Sequence, residues 1–437
     1  MTDIFFHHDP DQITPGSQGR VPVLMYGRRP PGPGTASVGG PVHAAVRRLG
    51  VPVHRRAFDF LTIAMAVTAA DTFVDRAASD DGWARVLRLQ LPLSHSTPWL
   101  PIIPLLEEAL RFLSGDVWTI DIQPDGPVRP SPQTRGHLTD LTGHDCVSLF
   151  SGGLDSAIGV LDLTVSGRRP LLVSHSYRGD ADRQRTIGAM LPNGLSRFAA
   201  IANPVSKLPG ANDVQMRTRS FNFLAYGALV AATLGERLLG SGPVELYVPE
   251  NGLIALNPPL TSRRIGSLST RTTHPHFLSL MQQIFDAVGI PVQIRNPYDK
   301  STKGEMLLSC ANQTILVRAA ERTVSCGKWK RSGMQCGKCV PCIIRRASFH
   351  AAGIADNTIY DPAGRDLSVV LTHDKARDDL LAVLQASRRL PGIDMASWLA
   401  RTGPLPVDRA ERDMLLDVAR RGMAEVRAYL THLGLLS

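Results

Sequence analysis

Apolar residues follow two rhythms along this chain. From Phe58 to Arg76 (FDFLTIAMAVTAADTFVDR) they recur at helical spacing with no breaker. Ala84–Leu93 alternates apolar and polar residues as a strand does. Pro104–Leu113 is again helical and is closed by Ser114–Gly115, and Val117–Ile122 alternates once more. This mixture predicts a small α+β domain over residues 41–122. Residues 1–40 are dense in Pro and Gly and show no apolar period. They read as an irregular arm with one short strand at Val21–Tyr26. Residues 123–140, starting QPDGPVRPSPQTR, read as a linker.

Beyond the linker the apolar runs become continuous. Cys146–Phe150, Pro170–His175, Val244–Val248 and Pro291–Ile294 are short buried-type strands. Between them stand helical stretches at Asp155–Val165 and Ser220–Leu239. Alternation of this kind predicts an α/β domain with a parallel sheet covered on both faces, over residues 141–350. A helical extension follows over 351–437, broken at Pro391–Gly392 and Gly403–Pro406. Its last helix, Arg412–Leu433, places apolar residues at 415, 416, 419, 423, 426 and 430, a stripe that must pack on something.

Composition changes this picture little. The chain has 437 residues, 43% hydrophobic and 20% charged, which is ordinary globular composition and excludes wholesale disorder. Net charge is +9, nearly all from arginine. The arginines are spread out rather than clustered with aromatics, so no nucleic-acid groove is indicated. The opening MTDIFFHHDP lacks the basic start and apolar run of an export signal, and Leu61–Ala70 is too short to span a bilayer. A cytoplasmic protein without membrane contact is the expectation. Lysine occurs only at 207, 300, 303, 328, 330, 338 and 375, which makes the close pair Lys300 and Lys303 informative.

The strongest local chemistry is Ser151-Gly-Gly-Leu-Asp-Ser156, set between a buried strand and a helix. Ser151, Gly152 and Gly153 allow a tight turn, and the backbone N–H groups of the turn and first helical residues make a cradle for phosphate. Ser156 adds a second hydroxyl, and Asp155 suits a divalent cation or the turn itself. A second signal is Cys326, Cys336, Cys339 and Cys342, spaced C-x9-C-x2-C-x2-C. That spacing suits a closed, structural zinc site with four sulfurs, an iron–sulfur cluster being the alternative. Lys328, Lys330, Arg331, Lys338, Arg345 and Arg346 stand nearby to offset its negative charge. Cys146 and Cys310 lie outside this group and read as core residues.

The hexapeptide resembles the PP-loop of the ATP pyrophosphatases, or nucleotide alpha hydrolases; no Walker GxxxxGK[ST] occurs. The resemblance implies ATP cleavage between the α and β phosphates, adenylation of a substrate oxygen, and displacement of AMP by a nucleophile. Ser151, Gly152, Gly153, Leu154, Asp155 and Ser156 would then hold pyrophosphate and Mg2+. His175 and Ser176, after the second strand, join the nucleotide-binding set. Together, the loop and Thr323–Arg346 resemble one branch, the 7-cyano-7-deazaguanine synthases (QueC), over about 145–350. Arg219 and Asn222 resemble that family's helix start facing the ATP phosphates, and Asn296–Leu307 its lysine-bearing segment. Lys300 and Lys303 would neutralise pyrophosphate, near a helix start capped by Ser301 or Thr302 and backed by Glu305.

The departures from that family are the two ends and the loop 248–275. In this loop Glu250 and Asn251 follow a strand end, and Arg263, Arg264 and Arg271 offer donors to a carboxylate or phosphate. These features resemble the QueC-like proteins of bacterial anti-phage operons, with the Qat system nearest. The family chemistry implies adenylation of 7-carboxy-7-deazaguanine or a related carboxylate, followed by amide or nitrile formation or transfer to an amine on a partner protein from the same operon. Three other readings stand beside this: a housekeeping-type synthase for queuosine precursors, a PP-loop enzyme acting on tRNA, and a subunit that only binds ATP. Residues 1–140 and 365–437 carry no phosphate or metal motif, so they are expected to serve partner recognition rather than ATP binding.

Overall fold

The computed structural model describes all residues except 17–18, 176–178, 193, 211, 214–215, 238–239, 241, 262–270, 330–332, 374–376 and 437. The first sheet holds β1 (Thr2–His7), β2 (Arg20–Gly27), β3 (Ala36–Gly39), β4 (Val86–Pro92), β5 (Val117–Gln123) and the two-residue β9 (Val205–Ser206), in the order β5-β4-β1-β2-β3-β9. β1 to β5 pair in parallel, and only β9 runs antiparallel, against β3. The second sheet is wholly parallel: β6 (Cys146–Leu149), β7 (Pro170–His175), β8 (Arg197–Ala200), β10 (Val244–Tyr247) and β11 (Val292–Arg295), ordered β11-β10-β6-β7-β8.

Two expectations change here. Residues 1–40 are not an irregular arm, because β1 lies inside the first sheet with Ile4 opposite Val21 on one side and Leu89 on the other. Pro and Gly occupy the connections between its strands and hide them. The unit expected over 41–122 is part of a mostly parallel sheet. Its strands alternate because only one face packs on helices: β5 reads exposed and buried in turn, with Trp118, Ile120 and Ile122 inward.

Helices α1 (Gly40–Arg47), α2 (Arg55–Phe73) and α3 (Ile103–Ser114) serve the first sheet; α3 ends at Gly115 in the left-handed conformation, the stop its sequence predicts. α4 (Leu154–Val165), α5 (Asp180–Gly188), α6 (Arg219–Arg237), α7 (Gly252–Leu256), α8 (Pro275–Val288), α9 (Lys303–Ser309) and α10 (Gln313–Ala320) surround the second. α2 is buried almost all round. It lies between the first sheet and α6, while α6 packs on β6, β7 and β10. The two sheets therefore share one apolar core through α2 and α6, and residues 1–140 are not a detachable appendage.

A buried charge cluster crosses that junction. Asp71 of α2 accepts from Arg85 at 2.5 Å, and Asp116 accepts from Arg85 at 2.7 Å and from Arg76 at 2.6 Å. The second Asp71 oxygen accepts from the Thr218 N–H and hydroxyl, both at 2.8 Å, directly ahead of α6. Removing one member leaves the remaining buried charges short of counter-charge. Asp71→Ala is expected to cost about 3–5 kcal/mol, read as a shift of the chemical-denaturation midpoint.

The C-terminal helices are α11 (Val340–Ala351), α12 (Pro362–Arg365), α13 (Leu367–Leu371), α14 (Asp378–Arg389), α15 (Met395–Leu399) and α16 (Arg409–His432). They build a second apolar core with Leu253 and Leu256 of α7 and Ile343 and Ile344 of α11. The α16 stripe, Leu415, Val418, Ala419, Met423, Val426 and Leu430, is thus spent on this chain. No helix among the described residues is long and apolar enough to cross a membrane.

Candidate active site

In the second sheet, chain order reverses between β6 and β10, and the crevice at the carboxyl ends of such strands is where open parallel sheets bind ligands. Ser151–Ser156 follows β6 there, and Glu250–Asn251 follows β10. Gly152 sits at φ 82°, a conformation that would strain any other residue. The Gly153 N–H donates to Ser151 Oγ at 3.2 Å, and the Ser151 and Ser156 hydroxyls stand 3.2 Å apart. Gly153 caps α4 without any side-chain hydrogen bond, so the first-turn N–H groups keep their capacity for an anion. Gln184, buried on α5, donates to the Ser151 carbonyl at 3.3 Å.

Asp155 is 5% exposed and forms an ion pair with Lys303, itself 6% exposed, at the start of α9. Asn251 donates to Asp155 Oδ2 from its backbone at 3.1 Å and from its side chain at 2.7 Å, while its Oδ1 caps α7 by accepting from Ile254. The same Asn251 amide reaches Glu250 Oε1 at 3.2 Å. Asn296 locks this strand end by accepting from the Glu250 N–H and donating to the Glu250 carbonyl. Burial opposes charge on both acids. The Lys303 ammonium and the hydrogen bonds from Glu250 and Asn251 nevertheless hold Asp155 well below the usual carboxylate range. Glu250 is pushed well above its ordinary value by burial and by the Asp155 charge. The two adjacent carboxyl groups are thus pushed in opposite directions.

His175, at the end of β7, lies 3.3 Å from Asn222 Nδ2, and Asn222 Oδ1 is buried without a hydrogen-bond partner among the described residues. Arg219 is exposed at the first turn of α6. These residues converge on the same end of the sheet, whereas Lys300 and Arg271 do not join Asp155. The side chain of Lys300 is exposed, and its carbonyl accepts from Arg421. Arg271 donates to the Phe112 carbonyl at 2.9 Å and covers the Phe112 ring, tying its loop to α3. Thr302, not Ser301, caps α9, in a reciprocal capping box with Glu305. Ser176, Arg263 and Arg264 lie outside the described residues. Sequence reasoning passed over Gln184 and Asn296, whose types and spacing carry no signal apart from the fold.

Cys326, Cys336, Cys339 and Cys342 are all buried, with their sulfurs within 4.8 Å of one another. A tetrahedral Zn(Cys)4 centre needs sulfurs roughly 4 Å apart. Backbone N–H groups of Lys328 and Cys336 donate to Cys326 Sγ, and that of Cys339 to Cys336 Sγ, each at 3.3 Å. Four converging sulfurs supported by N–H donors fit zinc, and these four residues could hold it. Of the basic residues nearby, fully buried Arg345 donates to the Ala320 carbonyl and the Thr323 and Thr358 hydroxyls, Arg346 to the Gly364 and Arg365 carbonyls, and Lys328 to Asp379, while the Lys328 charge also faces Cys336 and Cys339. Lys330 and Arg331 lie outside the described residues. The cluster also touches the PP-loop, since the Val324 N–H donates to the Gly152 carbonyl at 3.1 Å. Cys146 and Cys310 are buried elsewhere, and burial pushes the Cys310 thiol up to about 12, as befits core residues.

Residues 272–353, which carry Lys303 and all four cysteines, match the family described as queuosine biosynthesis protein QueC. This match and the parallel α/β sheet support a QueC-like PP-loop fold. The 7-cyano-7-deazaguanine synthase of Ectopseudomonas mendocina (strain ymp) is 29% identical over 244 residues, covering 50% of this chain and 100% of that protein. The synthase of Pseudomonas syringae pv. syringae (strain B728a) is 28% identical over 249 residues, 51% of this chain and 100% of its own. That of Thiobacillus denitrificans is 25% identical over 239 residues, 49% and 97% respectively. No solved structure matches the chain. The QueC-like part thus includes nearly the full length of these synthases, and half of the chain lies outside the likeness.

Proposed function

We propose that the protein is a QueC-like, ATP-dependent enzyme that adenylates the carboxylate of a 7-deazapurine, with 7-carboxy-7-deazaguanine the first candidate. The observation that carries this reading is the buried Asp155–Lys303 pair set against the uncapped start of α4 at the carboxyl ends of β6 and β10. The N–H groups of the first turn and the hydroxyls of Ser151 and Ser156 suit the β and γ phosphates. Lys303, drawn from Asp155 by a more highly charged anion, neutralises the departing pyrophosphate. The adjacent carboxyl groups of Asp155 and Glu250 fit a divalent cation, and these two residues would hold Mg2+. Bound there, the cation would neutralise phosphate charge. Asn222, with an unused buried acceptor, and His175 line the side on which the nucleoside would lie. The carboxylate oxygen attacks the α phosphorus, the α–β bond breaks with loss of pyrophosphate, and an amine then displaces AMP to leave an amide.

Resemblance of the loop 248–275 and the ends to defence-operon proteins supports an acceptor amine on a partner protein and a role in anti-phage defence. A second reading, a housekeeping-type synthase that carries the amide on to a nitrile, is favoured by the near-complete coverage of the curated synthases. Incubation with ATP, magnesium and 7-carboxy-7-deazaguanine, with and without operon neighbours, followed by mass spectrometry, tests both. A free nitrile selects the second reading, and a mass increment on a protein the first. No AMP from any mixture would overturn adenylation.

A further inference from the structure

We infer that Glu425, on the C-terminal helix α16, is a positioning residue for Lys303, so that the tail completes the active site instead of standing apart from it. The inference rests on the adenylation reading above and concerns a helix outside the QueC-family match. Lys303 is the first residue of α9, and its aim depends on the turn before it. α16 grips that turn from outside. The Thr302 hydroxyl donates to Glu425, and the Gly304 N–H donates to the other oxygen of the same carboxylate at 3.2 Å. Lys303 is therefore flanked on both sides by groups bound to one side chain.

One turn earlier on α16, Arg421 forms an ion pair with Glu305, the other half of the capping box, and donates to the Lys300 carbonyl at 3.0 Å. Asp417 holds Arg421 in place at 2.6 Å. The approach is close because residue 304 is glycine: a Cβ there would meet Glu425 Oε1 at 2.6 Å. A carboxylate over the N-terminus of α9 also favours the helix dipole. The helix is anchored independently of these polar contacts, through its apolar face on α7 and α11. Losing Glu425 should therefore loosen the turn without releasing the tail.

The test uses the full-length chain. A misaimed group of this kind costs about 10- to 100-fold in rate. Glu425→Ala is expected to lower kcat for AMP formation by that amount while KM for ATP stays within about 3-fold. Glu425→Gln, which still accepts from Gly304, should restore most of the rate. Amide hydrogen exchange across 303–309 should quicken in the alanine variant and not in the glutamine variant. If the alanine variant fails to fold, Glu425→Asp, charged but one methylene short, takes its place and must also lose kcat. A wild-type kcat in the shortened variant, or equal losses in the alanine and glutamine variants, would overturn the inference. If the wild-type chain makes no AMP, the adenylation reading falls, and hydrogen exchange alone decides: unchanged exchange in Glu425→Ala rejects the clamp.

Discussion

Asp155→Asn is expected to lower AMP formation by about 100-fold or more while leaving a folded, zinc-binding chain. Asparagine keeps the shape and the acceptor for the Asn251 N–H donors but removes the charge that faces Lys303. Alanine would be a poorer test. The residue is 5% exposed, and either substitution leaves the buried Lys303 ammonium without its counter-charge at a cost of about 3–5 kcal/mol, but alanine also strips the Asn251 donors of their acceptor. The double variant Asp155→Asn with Lys303→Met removes both charges and should recover stability without activity. Rates are read as AMP release, and stability by denaturant titration. An Asp155→Asn enzyme working at the wild-type rate would reduce the ion pair to a structural role.

Cys336→Ser is expected to yield a poorly soluble chain with well under one zinc per molecule. Apparent binding free energies of structural zinc run to about 10–16 kcal/mol in small peptides, so opening a closed site removes folding energy as well as metal. The damage should spread. Gln335, next to the ligand, bridges the Ser325 N–H and the Thr323 carbonyl, and Val324 between them holds the Gly152 carbonyl of the phosphate loop. Cys310→Ala, outside the cluster, should keep its zinc. Elemental analysis finding one full zinc in Cys336→Ser would reject the ligand assignment.

What the sequence disclosed follows from how far each signal reaches. The phosphate loop and the cysteine cluster are local patterns, and β6, α4, β7, α6 and β10 appear within two residues of where apolar spacing puts them. β1 and β3 were hidden because a strand between Pro- and Gly-rich connections has too few residues to show a period. The first sheet's parallel order was hidden for another reason: β4 and β5 alternate like the strands of an antiparallel sheet. Lys300 and Lys303 could not be told apart by type. Only the Thr302 cap, which starts the helix at 303, turns one inward and leaves the other in solvent. Glu425 left no trace, since a single acid on the polar side of an amphipathic helix looks like any other.

The placement of β9 bears on how the chain can be divided. Val205 and Ser206 belong in sequence to the half that holds the phosphate loop, yet they extend the first sheet beside β3. The segment that joins the halves is itself pinned, with Arg129 donating to the Val53 carbonyl and the Gln133 and Thr139 N–H groups to the carbonyls of Arg47 and Arg48. A protease cutting at the exposed residues 134–138 would therefore release nothing. The two fragments would stay mated through α2, α6 and β9 and travel together on a sizing column. Synthesised as separate polypeptides, each would need the other present to fold, as complementing fragments do.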